Sequence, residues 1–135
     1  LSKMANATGV DVNRGALDRL PSSIPTRCCS ATDLPFEDSS FDLTFTMGVL
    51  IHVPPEDLQQ AMSEIVRCSS RYILCGEYFG PSETIVPYRG QERALWRRNY
   101  GKLYQDQFPT LHLRDSGFLS GASWDNITWW LFEHA

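Results

Sequence analysis

No apolar stretch in this 135-residue chain approaches the roughly 20 residues that a membrane-spanning helix needs. The opening residues carry no signal-peptide pattern either. Basic side chains are also scarce: 12 Lys and Arg stand against 16 Asp and Glu, for a net charge of -4. A nucleic-acid footprint needs a Lys/Arg stripe to neutralise phosphates, so the charge argues against that class of partner. The densest basic group, Arg93, Arg97, Arg98 and Lys102, reads as the solvated face of one helix. Contact with an anionic substrate is its second reading. Cysteine is limited to Cys28, Cys29, Cys68 and Cys75. Adjacent Cys28 and Cys29 point to opposite faces of a strand, and no C-x-x-C spacing occurs, so no metal site is expected. Buried thiols in a reducing cytosol fit this usage, and the expected location is cytoplasmic.

What is present suits one soluble domain spanning residues 1–135, since 42% of the residues are hydrophobic and only 21% charged. The first residue is Leu1 and residues 1–6 read as the tail of a helix begun earlier, so the expectation is the C-terminal portion of a longer domain. A short strand over 7–12 ends in acid. Asn13 then caps a helix through about Leu20, which Pro21 stops. A second strand covers 26–31, before the turn at Asp33-Leu34-Pro35. The clearest strand is 41–47, with Phe41, Leu43, Phe45 and Met47 on one face and Asp42, Thr44 and Thr46 on the other. Pro54-Pro55-Glu56-Asp57 opens a helix whose Leu58, Ala61, Met62, Ile65 and Val66 form one apolar stripe. A buried strand follows over 71–78, then a loop over 79–91 and a helix over 92–108 closed by Pro109. Two strands, 111–119 and 126–133, are too close for a crossover helix and should pair antiparallel. Strands alternating with helices predict an α/β fold whose sheet is mostly parallel, with that hairpin as its antiparallel part.

Ligands of open α/β sheets sit at the carboxyl ends of the strands. Two runs put acids or small polar residues there: Gly9-Val10-Asp11-Val12-Asn13, and Asp33-Leu34-Pro35-Phe36 leading through Ser40-Phe41-Asp42-Leu43 to Met47-Gly48. With these residues the chain resembles the class I S-adenosylmethionine-dependent methyltransferases, and a Rossmann-like methyltransferase sheet is the implied fold. The resemblance implies that Asp11, with Val12 beside it, binds the ribose hydroxyls of S-adenosylmethionine. It implies that Asp33 reaches the adenine amino group, with Leu34 next to the base. A carboxylate accepts two hydroxyl donors well, and charge assistance roughly doubles the strength of each bond. Asp11 also reads as a turn residue, although Asn13 already supplies the cap. For Asp33 an Asx-turn before Pro35 stands beside the adenine reading. Met47 and Gly48 would line the methionine arm, Gly48 by letting backbone approach the ligand. His52 is the candidate general base, its ordinary pKa near 6.5 suiting proton removal from a hydroxyl or amine. A histidine simply packed at a helix entry is the alternative. His112 and His134 are weaker candidates.

Further motifs narrow the resemblance. Arg71-Tyr72-Ile73-Leu74, Glu77-Tyr78-Phe79, Pro87-Tyr88-Arg89-Gly90 and Thr128-Trp129-Trp130-Leu131-Phe132-Glu133 are similar to methylases associated with pseudaminic acid biosynthesis. The implied acceptor is a small molecule, a nonulosonic sugar or its precursor. Glu77, Tyr78, Tyr88 and Arg89 would line its pocket, with the Arg89 guanidinium pairing to a sugar carboxylate; the alternative has Arg89 bonding loop carbonyls and Tyr88 covering the core. One family feature is missing: no G-x-G-x-G occurs, so the first strand and its glycine-rich turn are not in these residues. Two other classes therefore stay in view. One is a non-catalytic methyltransferase-like binding module. The other is a nicotinamide-dependent oxidoreductase, against which the terminal hairpin and the run from Leu34 to Asp42 both speak.

Overall fold

The computed structural model describes residues 5–121 and 125–135. Residues 1–4 of the expected helical tail, and Trp124, lie outside them, while Ala5 and Asn6 are not helical. Strands β1 (Gly9–Asp11) and β2 (Thr26–Cys28) form a parallel pair of their own, joined through the short helix α1 (Arg14–Leu17). Asn13 caps α1 as expected, its side chain accepting from the Gly15 N–H at 2.9 Å. The helix stops three residues short of Leu20, since Gly15 weakens so short a helix and Pro21 cannot extend it. β2 also ends early: beyond Cys28 the chain turns, with the Asp33 N–H donating to the Ser30 carbonyl.

The main sheet has the order β3-β4-β8-β7, built from β3 (Phe41–Met47), β4 (Ser69–Glu77), β7 (Leu111–Leu119) and β8 (Ile127–His134). β3 and β4 are parallel. β8 lies antiparallel between β4 and β7, so three of the four strands run one way. Helix α2 (Pro55–Cys68) carries the expected stripe, and Leu58, Ala61, Met62, Ile65 and Val66 are all buried. They pack with Ile73, Cys75, Tyr104 and Phe132 in one core. The face of β3 turned to α2 is the threonine face: the Thr44 hydroxyl donates to the Ile65 carbonyl at 3.0 Å and Thr46 is buried. Leu43 and Phe45, on the other face, remain 40% and 47% exposed.

The expected helix over 92–108 is corrected to α3 (Tyr100–Gln107) alone. The preceding residues form β6 (Trp96–Arg97), which pairs antiparallel with β5 (Thr84–Ile85) inside the stretch read as a loop. Asn99 starts α3 by accepting from the Lys102 N–H at 3.0 Å, and Pro109 follows its end. The basic group is therefore not one helix face. Arg93 and Lys102 pair with Glu56 and Asp106 in solvent, whereas Arg98 is 1% exposed. Of the thiols expected to be buried, Cys68 and Cys75 are, but Cys28 is exposed and Cys29 half-buried.

Candidate functional site

The carboxyl ends of β1, β2 and β3 carry most of the residues singled out from the sequence. Asp11 ends β1 and is exposed. One of its oxygens accepts from the Asn13 N–H at 2.8 Å, which holds the loop, and the other has no partner among the described residues. Val12 beside it is 70% exposed. Asp33 is exposed in the turn after β2, and Leu34 next to it is half-buried.

That turn is fastened from α2. The Leu34 N–H donates to Glu64 at 2.8 Å, and Arg67 donates to the Leu34 and Phe36 carbonyls at 3.1 and 2.7 Å. Arg67 also pairs with Glu64 and Asp38. The hydrogen bond from Arg67 holds the Glu64 carboxyl below its ordinary value. Sequence reasoning assigned no role to this pair, although Glu64 and Arg67 stand three apart on a helix.

At the end of β3, Gly48 has φ +66°, and a Cβ there would meet nothing within 4 Å. The open space above Gly48 is what close approach of a ligand to the backbone requires. Met47 is half-buried, its thioether lying across Gly76 on the neighbouring strand.

The chain then enters a 3-10 turn, Leu50–His52. The ring nitrogen Nδ1 of His52 lies 2.6 Å from the Ala94 carbonyl. A carbonyl can only accept, so Nδ1 carries the hydrogen, and in the neutral ring Nε2 bears the lone pair. The His52 ring is exposed and sits 5.2 Å from that of Tyr88, over which the Arg89 guanidinium lies at 5.1 Å. His52, Tyr88 and Arg89 are thus brought together.

Glu77 is not on a pocket wall. It is 0% exposed and its oxygens accept from the N–H groups of Val49, Leu50 and Ile51 at 3.3, 3.0 and 3.2 Å. Burial pushes its carboxyl up, and the backbone donors oppose that shift. Tyr78, the next residue, does face a cavity of about 650 Å³ lined by Phe79, Arg97, Phe118, Asp125 and Thr128. Its hydroxyl donates to the Asp125 carboxylate, which with burial pushes the phenol up to about 12. The cavity joins the ends of β4 and β7 to the start of β8, so it shares the edge of the sheet that carries Gly48. His134 stands at the opposite end of the sheet, and His112 is exposed on β7. Among the described residues, no cluster of His, Cys, Asp and Glu could hold a metal ion.

A family described as "Methyltransferase domain" matches residues 1–71. No curated protein matches. Among solved structures, the 1,6-didemethyltoxoflavin-N1-methyltransferase of Burkholderia thailandensis, with bound 1,6-didemethyltoxoflavin and S-adenosylhomocysteine, superposes with a TM-score of 0.77. It is 12% identical over 99% of this chain and 63% of its own. The magnesium protoporphyrin IX methyltransferase of Synechocystis, with bound S-adenosylmethionine, gives 0.67 at 13% identity over 97% and 60%. The N-methyltransferase NodS of Bradyrhizobium japonicum, in complex with S-adenosylhomocysteine, gives 0.65 at 16% over 94% and 65%. The chain spans less than two thirds of the length of each. Sequence identities this low speak to the fold, which is the Rossmann-like α/β fold of methyltransferases with its antiparallel part at the C-terminus. With just over half of its residues matched by the family, the chain belongs to the methyltransferase domain family.

Proposed function

We propose that the protein transfers a methyl group from S-adenosylmethionine to a small-molecule acceptor. The observation that carries this reading is Asp11: an exposed carboxylate at the end of β1, with one oxygen fixed by the loop and the other open to a ribose hydroxyl. Asp33 and Leu34, held by Glu64 and Arg67, would meet the adenine, and the open space over Gly48 would take the methionine arm beside Met47. The bound cofactor supplies an electrophilic methyl on a sulfonium. The protein's own part is to hold the acceptor in line, which alone removes much of the barrier. With Nδ1 turned to Ala94, Nε2 of the neutral His52 ring would accept the acceptor's proton.

The acceptor class we favour is a carboxylated, nonulosonic-type sugar. Arg89 makes no ion pair among the described residues and lies over Tyr88, so its fork is available to a carboxylate. Tyr78 would border the same acceptor from the adjoining cavity. Glu77, buried behind the turn, is withdrawn from that pocket.

Calorimetric titration with S-adenosylhomocysteine tests the reading. Charge-assisted bonds to a ribose contribute about 1.5–3 kcal/mol, so Asp11→Asn should weaken binding about ten- to a hundredfold. Absence of binding by the unaltered protein would instead support the non-catalytic binding module.

A further inference from the structure

The geometry points to Glu77 and Arg98 as positioning residues: two buried side chains, one accepting and one donating, that clamp the Leu50–His52 turn and so fix His52 with Nε2 free. Besides its internal bonds from His52 N–H to the Val49 carbonyl and from Val53 N–H to the Leu50 carbonyl, the turn bonds to both of them. Glu77 takes the N–H groups of Val49, Leu50 and Ile51. Arg98 gives one hydrogen bond to the Leu50 carbonyl at 3.0 Å and one to the Val53 carbonyl at 2.8 Å. Its remaining donors reach Glu83 at 2.7 Å and the Tyr100 hydroxyl at 3.3 Å. A planar guanidinium suits such a task because its donors leave in fixed directions, which an ammonium cannot match.

Arg98 also joins two separate pieces of chain. His52 depends on the Ala94 carbonyl for its tautomer, and Ala94 lies four residues before Arg98 in the segment that ends in β6. That segment is tied to the end of β4 where the Arg98 N–H meets the Tyr78 carbonyl. The guanidinium then fastens it to the turn that bears the histidine. The clamp thus adds to the β5–β6 pairing and the Arg93–Glu56 ion pair in holding His52 Nδ1 2.6 Å from the Ala94 carbonyl. A lone 3-10 turn has poor hydrogen-bond geometry of its own.

The purpose of this arrangement rests on the methyl-transfer reading. As the acceptor atom bonds to the methyl carbon, the carbon–sulfur bond breaks with its electron pair left on sulfur. The proton shed by the acceptor passes to His52 Nε2, giving an imidazolium whose Nδ1–H still faces the Ala94 carbonyl. A histidine free to rotate or to exchange tautomers would spend part of its time with Nε2 already protonated and unable to act.

The clamp is tested by nitrogen-15 NMR of the histidine rings at a pH where they are neutral, with His52→Gln assigning the signal. The unaltered protein should show His52 as a single tautomer, Nδ1 protonated and Nε2 bare. Glu77→Gln removes the second accepting oxygen and Arg98→Lys removes the fork. Each should average the ring between tautomers. Ile73→Val trims the core four residues before Glu77 on β4, makes no change to the turn's hydrogen bonds, and should leave the signal in place. Glu83→Gln, on the half-exposed side of Arg98, should give a smaller shift in the same direction and serves if the buried variants do not fold. The proposal is overturned if His52 in the unaltered protein carries its hydrogen on Nε2. It is overturned equally if the folded variants keep the Nδ1–H form, or if Ile73→Val disturbs the ring as much as they do. Titration of the same samples with S-adenosylhomocysteine keeps the two readings apart: a locked His52 without cofactor binding removes the methyl-transfer reading and leaves the clamp standing.

Discussion

Tyr100 and Tyr104 offer a paired test of how polar groups are satisfied in this core. Both are 0% exposed and both lie on α3, so removing either hydroxyl leaves the apolar burial unchanged. Their partners differ. The Tyr100 hydroxyl donates to the Trp96 carbonyl at 3.2 Å and accepts from Arg98 at 3.3 Å. The Tyr104 hydroxyl has no protein partner among the described residues; its ring packs 5.2 Å from that of Phe132. Burial pushes both phenols up in pKa, so both are neutral at any working pH. A hydrogen bond contributes about 1 kcal/mol net, or about 1.5–3 kcal/mol with a charged partner, whereas a buried unpaired group costs about 1–3 kcal/mol. Tyr100→Phe should therefore lose about 1–2 kcal/mol and leave the Arg98 donor short of an acceptor. Tyr104→Phe should gain about 1 kcal/mol by removing an unpaired hydroxyl. With a urea slope of about 1–3 kcal/mol/M, the two midpoints should differ by on the order of 1 M, with the unaltered protein between them. Urea unfolding followed by tryptophan fluorescence reads this directly. A loss of about 1 kcal/mol or more for Tyr104→Phe would show that its hydroxyl is satisfied in solution and would refute the reasoning.

Two further outcomes are expected. The Glu64 carboxyl is held down by Arg67, so its contribution to stability is complete above the ordinary carboxylate value and is lost as pH falls through the lowered one. Glu64→Gln should be the less stable protein at neutral pH, and its urea midpoint should converge on that of the unaltered protein below about pH 4.5; a constant gap would exclude the ion pair as the cause. Arg89→Lys keeps the charge but loses the fork, so affinity for a carboxylated sugar should fall about tenfold. Unchanged affinity in equilibrium dialysis would remove Arg89 from the acceptor pocket.

Local signals were sufficient wherever one face of an element decides its conformation. β3 follows from the alternation of Phe41 to Met47, and α2 from its prolines, acids and apolar stripe. The C-terminal hairpin follows from spacing alone. The stretch before α3 was misread because Arg93, Arg97 and Arg98 resemble a helix face, while what governs them is distant. Arg98 is buried by carbonyls 45 and 48 residues away in sequence, and Trp96 and Arg97 pair with Thr84 and Ile85. Asn99 was the available signal for the helix start, as Asn13 was for α1. In the site, the exposed acids at strand ends were legible because strand ends are recognisable in sequence. Glu77 was not: the same Glu-Tyr-Phe run is compatible with an outward or an inward carboxylate, and only the donors of residues 49–51 turn it inward.

The pairing of β1 with β2 alone has a consequence for affinity. Three residue pairs make up that ladder, and Val10 and Val12 stay exposed beside it. A two-stranded sheet of this length is marginal by itself in water. Among the described residues, Asp11 therefore rides on a short two-stranded layer, while His52 sits on a turn bonded by Glu77 and Arg98. A nucleoside gripping Asp11 and Asp33 together would tie β1 to the loop anchored by Arg67, and part of its binding energy would go into keeping that layer ordered. On the methyl-transfer reading, its apparent affinity would then depend on the fraction of molecules in which β1 and β2 are already paired, as well as on the contacts themselves.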